Sequence, residues 1–308
     1  MAELESRGGL VLLEHINVNV RDWGPTERFF GALGCQRAGV KVHMNCGPHT
    51  QFHLPVEEPA QVWRGEVTVA FTSEGLASAT QRLADLAATE EGAAAGLCLT
   101  ELPSDEGSSW SVQCQWGNFL LRAGSKAEAA MAALPTKRPK TASTVAMGVL
   151  GIVELSLQVP PGTAAAIARF YAEIFRFQTV VGEGQSCILG GPVDGSQRVT
   201  FREAEGAPPY AGEHFCFYLG DFEGVFTRCA SRGLLFVNPR FTHLDDSRTI
   251  EEARQWQAFR IKDVKGDGDK VLFTEEQEIR STRHKFFSLQ LADVSHEACQ
   301  PASVPAGK

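Results

Sequence analysis

The sequence repeats itself, and this repetition constrains the possible folds more than any other feature. Residues 12–39 and residues 152–182 share one pattern, in which a strand-like alternation leads into a proline-containing turn and then into Arg-Phe followed by an aromatic residue. The match continues from residues 50–71 to residues 197–218 at a constant offset of 147 positions. A pattern that returns at a fixed separation indicates a supersecondary unit that is used more than once.

Each repeat opens with an alternation of polar and apolar residues. In the first repeat, His15, Asn17 and Asn19 are separated by single apolar residues. Alternation with a period of two predicts a half-buried strand. Prolines follow the alternation in both repeats, and we expect Thr26 and Thr163 to cap the helices that begin there.

A second strand-plus-helix pattern follows in each half of the chain. Residues 66–72 and 213–219 are predicted strands, and residues 74–87 and 222–232 are predicted helices, with further strands after each helix. The sequence therefore predicts four units, each made of a strand, a helix and more strands. A chain of 308 residues also suits two domains of about 150 residues each.

These units define a domain organisation. We expect an N-terminal extension over 1–10, a first domain over 11–123, a linker over 124–148, a second domain over 149–290 and a tail over 291–308. The linker is predicted from its alanine-rich stretch and from the prolines, lysines and threonines that follow. The tail is polar and contains two prolines, so we expect it to be disordered.

Composition excludes several classes of partner. The net charge of -8 and the pI of about 5.6 argue against a nucleic-acid or anionic-membrane partner. No run reaches the ~18 apolar residues of a membrane helix, and the start of the chain lacks the apolar centre of a signal peptide. The eight cysteines have no metal-site spacing and are typical of a reducing compartment. We therefore expect a cytoplasmic monomer or homodimer whose partner is a small molecule.

Four segments carry a family resemblance. They are LEHINVNVRDWGPTERFFGALG from Leu13, WGN from Trp116, GEHFCFYLGDFEGVFTRCASRG from Gly212 and FRIKDVKGDG from Phe259. In this order and spacing they resemble the vicinal oxygen chelate superfamily, also called the glyoxalase/bleomycin resistance/dioxygenase superfamily, and its tandem two-domain members. The resemblance implies an α+β fold, in which four βαβββ units form two tandem glyoxalase-like domains with open, cup-shaped β-sheets.

The resemblance also implies metal chemistry. In this superfamily, inward-facing His, Glu or Gln side chains on the first and last strands of paired units hold a divalent metal. The metal then binds two adjacent oxygens of a small substrate, which requires open coordination positions. Fe, Mn, Ni or Zn would suit such a site, and the resemblance implies no other cofactor.

The first domain lacks most of the implied ligands. His15 occupies the first-strand position, but the apolar residues Val67 and Leu121 stand where two further ligands are expected. We therefore predict that this domain binds no metal. His15, His53, Val67 and Leu121, together with Tyr218 of the second domain, are predicted to line a substrate pocket, although His15 and His53 could also form a residual metal-binding pair.

The second domain retains a possible ligand set. Glu154 aligns with His15, His214 follows 60 residues later, and the closing strand carries Glu275 and Glu276. Neighbouring residues on a strand face opposite sides, so the sequence leaves open which of these two glutamates faces the cup. The predicted metal ligands are Glu154, His214 and either Glu275 or Glu276, and Glu154 and Glu276 are the predicted catalytic residues. Alternatively, Glu154 pairs with a nearby basic side chain.

Two classes of function follow from this sequence. The first is a metal-dependent lyase, isomerase or dioxygenase that acts on a small oxygenated metabolite in the cup of the second domain. The second is a metal-free protein of the same fold that binds or sequesters a small molecule. Residues 236–259 have no counterpart in the first half, and we expect them to form a lid over this cup, with Arg240 and His243 at its rim.

Overall fold

The structure is a computed structural model. It describes residues 9–39, 42–104, 107–124, 129, 131–132, 134, 147–192 and 195–289. The predicted N-terminal extension, linker and disordered tail lie mostly or wholly outside these residues. Within the described ranges, no helix is long and apolar enough to cross a membrane.

The first half of the chain folds into two units with the same order of elements. Unit one consists of β1 (Leu10–Asn17), α1 (Trp23–Leu33), β2 (Gln36–Arg37), β3 (His43–Cys46) and β4 (Thr50–His53). Unit two consists of β5 (Gly65–Phe71), α2 (Ser73–Ala87), α3 (Glu90–Ala94), β6 (Cys98–Leu102), β7 (Ser108–Cys114) and β8 (Gly117–Ala123).

The second half repeats this order twice. Unit three consists of β9 (Val149–Val159), α4 (Ala164–Phe170) with a π-helical turn (Tyr171–Phe175), β10 (Gln178–Gly182), β11 (Gln185–Gly190) and β12 (Gln197–Glu203). Unit four consists of β13 (His214–Leu219), α5 (Phe222–Ser231), β14 (Leu235–Phe236), α6 (Thr242–Asp245), α7 (Ile250–Trp256), β15 (Ala258–Lys265), a 3₁₀ turn (Asp267–Asp269) and β16 (Val271–Ser281). The predicted α+β fold with four βαβββ units is confirmed.

Helix α1 begins earlier than the sequence suggested. The Asp22 side chain accepts a hydrogen bond from the backbone N–H of Gly24 and so caps the helix. Thr26 lies inside the helix, where its hydroxyl donates to the carbonyl of Asp22. The prediction for Thr26 was therefore wrong, because an aspartate four positions earlier supplies the cap. Thr163 does stand at the start of α4, but its side chain makes no capping hydrogen bond.

The strands pair unit one with unit four and unit two with unit three. Strand β1 runs antiparallel to β13, with Asn17 opposite His214, and β9 runs antiparallel to β5, with Glu154 opposite Thr68. We call units one and four the first module, and units two and three the second module. Each half of the chain thus contributes one unit to each module. The expectation that each cup forms within one half was wrong, because alternation along a strand does not determine which strands become neighbours.

One contact between the two modules is made by their strands β1 and β11. Leu10 on β1 pairs in parallel with Gly190 on β11. A Cβ at position 190 would lie 2.4 Å from the Leu10 Cβ, so only glycine permits this approach. Nearby, the buried Gln197 side chain accepts a hydrogen bond from the Leu13 N–H at 2.8 Å and donates to the Ile152 carbonyl at 2.8 Å. These bonds connect the first strands of the two modules.

The apolar residues of all four units form one continuous core. It contains aromatic side chains from each unit, including Phe30, Phe71, Phe175 and Phe217. Strand residues alternate between this core and the opposite face of the sheet. The opposite face of the first module is concave and carries the polar side chains that form the candidate site.

Candidate metal centre

Two histidines and one glutamate converge in the cup of the first module. His15 lies on β1, His214 on β13 and Glu278 on β16. The Glu278 Oε2 atom is 3.7 Å from the His15 Nε2 atom and 3.7 Å from the His214 Nε2 atom. All three side chains are buried. They share one face because β13 lies between β1 and β16, with Cys216 opposite both His15 and Glu278.

Alternation along β16 resolves the question that the sequence left open. Glu276 and Glu278 point toward the buried arginines of the cup, where both accept hydrogen bonds from Arg260. Glu275 points to the other side and pairs with Arg64. Burial, together with the nearby Glu213, raises the pKa of Glu275 well above its usual range. Glu275 therefore lies outside the histidine cluster.

Glu278 is held by two guanidinium groups. Arg260 Nη2 donates to its Oε2 atom at 2.8 Å, and Arg280 Nε donates to its Oε1 atom at 2.5 Å. Burial alone would raise the pKa of Glu278, but Arg280 and Arg260 outweigh this effect and hold the pKa well below its usual range. Glu278 is thus a carboxylate at neutral pH, as a metal ligand must be.

Two arginines bind four carboxyl groups in the buried cluster. Arg260 also bonds Asp245 at 2.6 Å and Glu276 at 2.7 Å, and Arg280 bonds Glu14 at 2.7 Å. Burial raises the pKa of Asp245 to about 6, which leaves it mostly ionised at pH 7. The cluster around Glu278 is therefore rich in carboxyl groups that are held by arginines.

A second observation also indicates that these three side chains could hold a divalent metal. The His15 Nε2 atom is buried and makes no hydrogen bond within the described part of the chain. A buried polar atom without a partner is costly, and a cation between the two imidazoles and Glu278 would satisfy it. Two imidazoles and one carboxylate with open positions are the donor set typical of non-haem Fe(II) oxygenases, and imidazole also suits Zn, Ni and Cu.

A stack of imidazoles extends from His15 toward the opening of the cup. The ring of His53 lies 3.7 Å from that of His15, and the ring of His43 lies 3.6 Å from that of His53 on its other side. Burial, with the nearby His15, His43 and Arg280, lowers the pKa of His53 well below its usual value. His53 is therefore neutral at pH 7. Its Nε2 atom lies 3.1 Å from the Gln51 Oε1 atom and donates to it, which leaves Nδ1 as a proton acceptor.

A cavity of about 330 Å³ adjoins these residues. His43, His53, His214 and Glu278 form part of its wall, and Phe241 and Phe286 contribute an aromatic part. The inserted segment reaches the same cavity through Arg240 and Phe241. It is fixed there by a hydrogen bond from the Asn238 amide to Glu276 at 2.8 Å. The segment thus contributes to the wall of a cavity in the first module, and not to a cup formed by the second domain alone. Arg240 lines this cavity, whereas His243 is not among its lining residues.

Several predicted site residues lie elsewhere. Glu154 is on β9 of the second module, where its carboxylate accepts from Arg198 at 2.7 Å and from the Thr200 hydroxyl at 2.6 Å. Strand β9 is four strands away from β13 in the sheet, so Glu154 does not meet His214. Val67 and Leu121 are buried in the apolar core, on the side of the sheet opposite to the cup.

The other predicted pocket residues are found in the first module. His15 and His53 stack on each other beside the cavity, as described. Tyr218 is fully buried behind it, packs against Phe287 and accepts a hydrogen bond from Arg280 at 3.2 Å. Glu276 lies next to the cluster, and its carboxylate accepts hydrogen bonds from Arg260, Asn238 and Tyr210.

Glu278 is the member of the cluster that the sequence did not single out, and one overlooked signal pointed to it. All eight histidines lie in units one and four or in the tail, and residues 54–213 contain none. Histidines that are confined to the first and last units indicate that these two units form one site. His15 and His214 then become partners, and the face of β16 that Glu276 and Glu278 share becomes the place to search for a carboxylate.

Comparison with known proteins supports the fold. Residues 154–266 match the family model of the Glyoxalase/Bleomycin resistance protein/Dioxygenase superfamily. A putative dioxygenase from Bacillus subtilis subsp. subtilis str. 168 has a similar structure, with a TM-score of 0.52, 11% sequence identity, and coverage of 89% of this chain and 86% of that chain. At this identity the likeness concerns the fold alone. No curated protein sequence matches.

A more distant likeness is to homoprotocatechuate 2,3-dioxygenase from Arthrobacter globiformis. Its TM-score is 0.32 and its identity 10%, with coverage of 96% of this chain and 88% of that chain. The family model over residues 154–266 and the fold shared with the Bacillus subtilis protein confirm the resemblance to the glyoxalase/bleomycin resistance/dioxygenase superfamily that was drawn from the sequence.

Proposed function

We propose that the cup of the first module binds one divalent metal through His15, His214 and Glu278, and that a small oxygenated molecule binds there through adjacent oxygens. The observation that carries this proposal is the convergence of the two Nε2 atoms on Glu278 Oε2, at 3.7 Å each. The His15 Nε2 atom, which is buried and makes no hydrogen bond within the described residues, supports it.

The bound cation would supply Lewis acidity to the substrate oxygens and, if it is iron, access to dioxygen chemistry. The protein supplies the remaining functions. His53 lines the cavity, and its neutral ring can accept a hydrogen bond from the substrate at Nδ1. Phe241 and Phe286 give the cavity an aromatic wall, and Arg240 of the inserted segment contributes a positive charge to the lining. This arrangement suits lyase, isomerase or dioxygenase chemistry.

The test is metal content after loading with Fe(II), Mn(II), Ni(II) or Zn(II) and removal of excess cation. We expect about one metal per chain in the wild type and a loss in His15→Ala, His214→Ala and Glu278→Gln. Glu154→Gln is the matched control, because Glu154 is a buried, arginine-paired glutamate of the other module, and it should retain the metal. A wild type that binds none of these cations would overturn the proposal, as would a loss of metal in Glu154→Gln alone.

A second candidate is metal-free binding of a small molecule. It is favoured by the two arginines on Glu278, because they compensate its charge even without a cation. The two candidates differ in one measurement. If a ligand found by thermal-shift screening raises the Tm equally with and without a chelator, the metal-free function is supported. A shift that requires the divalent metal supports the first proposal.

A further inference from the structure

A buried ion pair lies directly behind the candidate metal ligands. Glu14 is on β1 beside His15, and Arg280 is on β16, two positions after Glu278. Arg280 Nη1 donates to Glu14 Oε2 at 2.7 Å, and the two side chains are 11% and 1% exposed. The pair therefore connects the first and last strands of the first module, yet neither residue belongs to the donor set.

Glu14 acts on His15. Its Oε2 atom lies 3.2 Å from His15 Nδ1. Neighbouring residues on a regular strand face opposite sides, but β1 shifts its register between Leu13 and His15. Such an irregularity re-aims side chains and allows Glu14 to reach the ring of its neighbour. A carboxylate can only accept at Nδ1, so the neutral ring carries its proton there and keeps the Nε2 lone pair for the metal.

Arg280 acts on Glu278. Its Nε atom donates a hydrogen bond to the Oε1 atom of Glu278 at 2.5 Å. The other oxygen, Oε2, accepts a hydrogen bond from Arg260 Nη2 at 2.8 Å. It is also the oxygen that lies 3.7 Å from both His15 Nε2 and His214 Nε2. A metal placed between the imidazoles therefore meets one oxygen of Glu278 and not both.

We propose that Glu14 and Arg280 are a positioning pair for the metal centre. Glu14 fixes the His15 tautomer, Arg280 restricts Glu278 to one ligand oxygen, and the ion pair between them sets the distance between these two ligands. This inference rests on the proposed metal site. In the second module Glu154 takes the place of His15, so Val153 stands where Glu14 would be. The carboxylate is thus present only in the module that has the histidines.

The test measures Zn(II) affinity by competition with a chelator, together with the His15 tautomer from ¹⁵N NMR of histidine-labelled, metal-free protein. Loss of a carboxylate behind a ligating histidine typically weakens metal binding 10–100-fold. We expect Glu14→Gln to weaken Zn(II) binding by about this factor and to reduce the population of the Nδ1–H form of His15. Glu154→Gln should change neither measurement.

Two further variants separate positioning from loss of folding. Glu14→Asp keeps the charge but withdraws the carboxylate from Nδ1, so we expect a weaker effect in the same direction. Arg280→Lys, combined with Glu14→Gln, should cost less affinity than the sum of the two single changes, because each disrupts the same pair. If the wild type binds Zn(II) and folded Glu14→Gln and Glu14→Asp match its affinity and tautomer, the positioning role is wrong while the metal site stands. If the wild type binds no metal, the proposed function itself fails.

Discussion

The two modules are built alike but differ at every position that matters for a metal. The strand registers place Glu154 of the second module where His15 lies in the first, and Glu66 where His214 lies. Along the next strand, Leu120 stands at the position of Glu278. One scaffold therefore carries two imidazoles and a carboxylate in one copy, and two glutamates and a leucine in the other.

The second module compensates its buried charge from within. Arg198 lies directly opposite Glu154 on β12, at the position that corresponds to Gln51 on β4, and its guanidinium bonds the carboxylate. In the first module the uncharged Gln51 stands at that position, and Glu278 pairs instead with Arg260 and Arg280. The same face of the sheet thus carries an arginine-paired glutamate in one module and two imidazoles beside a carboxylate in the other.

The largest change in the free energy of unfolding is expected when an arginine is removed from the buried ion pairs of the first module. Arg260 is 2% exposed and forms ion pairs with Asp245, Glu276 and Glu278. Removing one partner of a buried ion pair costs about 3–5 kcal/mol, because the remaining charges stay buried and unpaired. We expect Arg260→Met to lower the free energy of unfolding in urea by about this amount. A loss below about 1 kcal/mol would show that water reaches these carboxylates.

The pH dependence of the free energy of unfolding also distinguishes the two modules. Burial lowers the pKa of His214 from 6.5 to about 4, so the folded protein keeps this ring neutral where the unfolded chain is already protonated. Its contribution to stability is complete above pH 6.5 and is lost as the pH falls toward 4. For the metal-free protein we expect the free energy of unfolding to drop by on the order of 3 kcal/mol across this window.

Hydrogen exchange distinguishes the two modules in this experiment. His53 acts in the same direction as His214, because its pKa is also lowered by burial, and residues 54–213 contain no histidine. Amides of β1 and β13 should therefore lose protection at a higher pH than those of β5 and β9. His214→Gln should flatten the pH dependence of stability. An equal slope in this variant would contradict the assignment.

The smallest expected effect concerns the internal cation of the second module. The Arg198 side chain is 44% exposed, so solvent can partly replace it when it is removed. Arg198→Met should destabilise the protein by about 1–3 kcal/mol through the unpaired Glu154, and the metal content should not change. A reduced metal content would mean that the second module takes part in the site.

The sequence predicted the units but not their partners. Repetition and alternation located the four first strands and their helices, because these patterns are local. The site was misplaced for two physical reasons. Pairing between distant units is non-local, and an offset of 147 placed Val67 at the position of His214, whereas the strand registers place Glu66 there. A slip of one residue turns a strand over, so core residues such as Val67 and Leu121 were assigned to the pocket.

Glu278 illustrates the same point. The sequence predicts a closing strand with several acidic residues, and alternation along that strand puts Glu276 and Glu278 on the same face. What separates them is their position relative to the histidines, because Glu278 Oε2 lies 3.7 Å from the Nε2 atoms of both His15 and His214. This proximity depends on how distant strands pair in the folded chain, and no pattern along the sequence reveals it.

The pairing of the first unit with the last has a consequence for the order of events during synthesis. His15 emerges from the ribosome long before Glu278, and 263 positions separate these two ligands along the chain. Contacts over such separations form late, because the intervening chain must close first. Strand β1 of the first unit therefore lacks its partner β13 until the fourth unit has been made. A cation held at this centre would mark a molecule in which the first and fourth units have both been made and have paired.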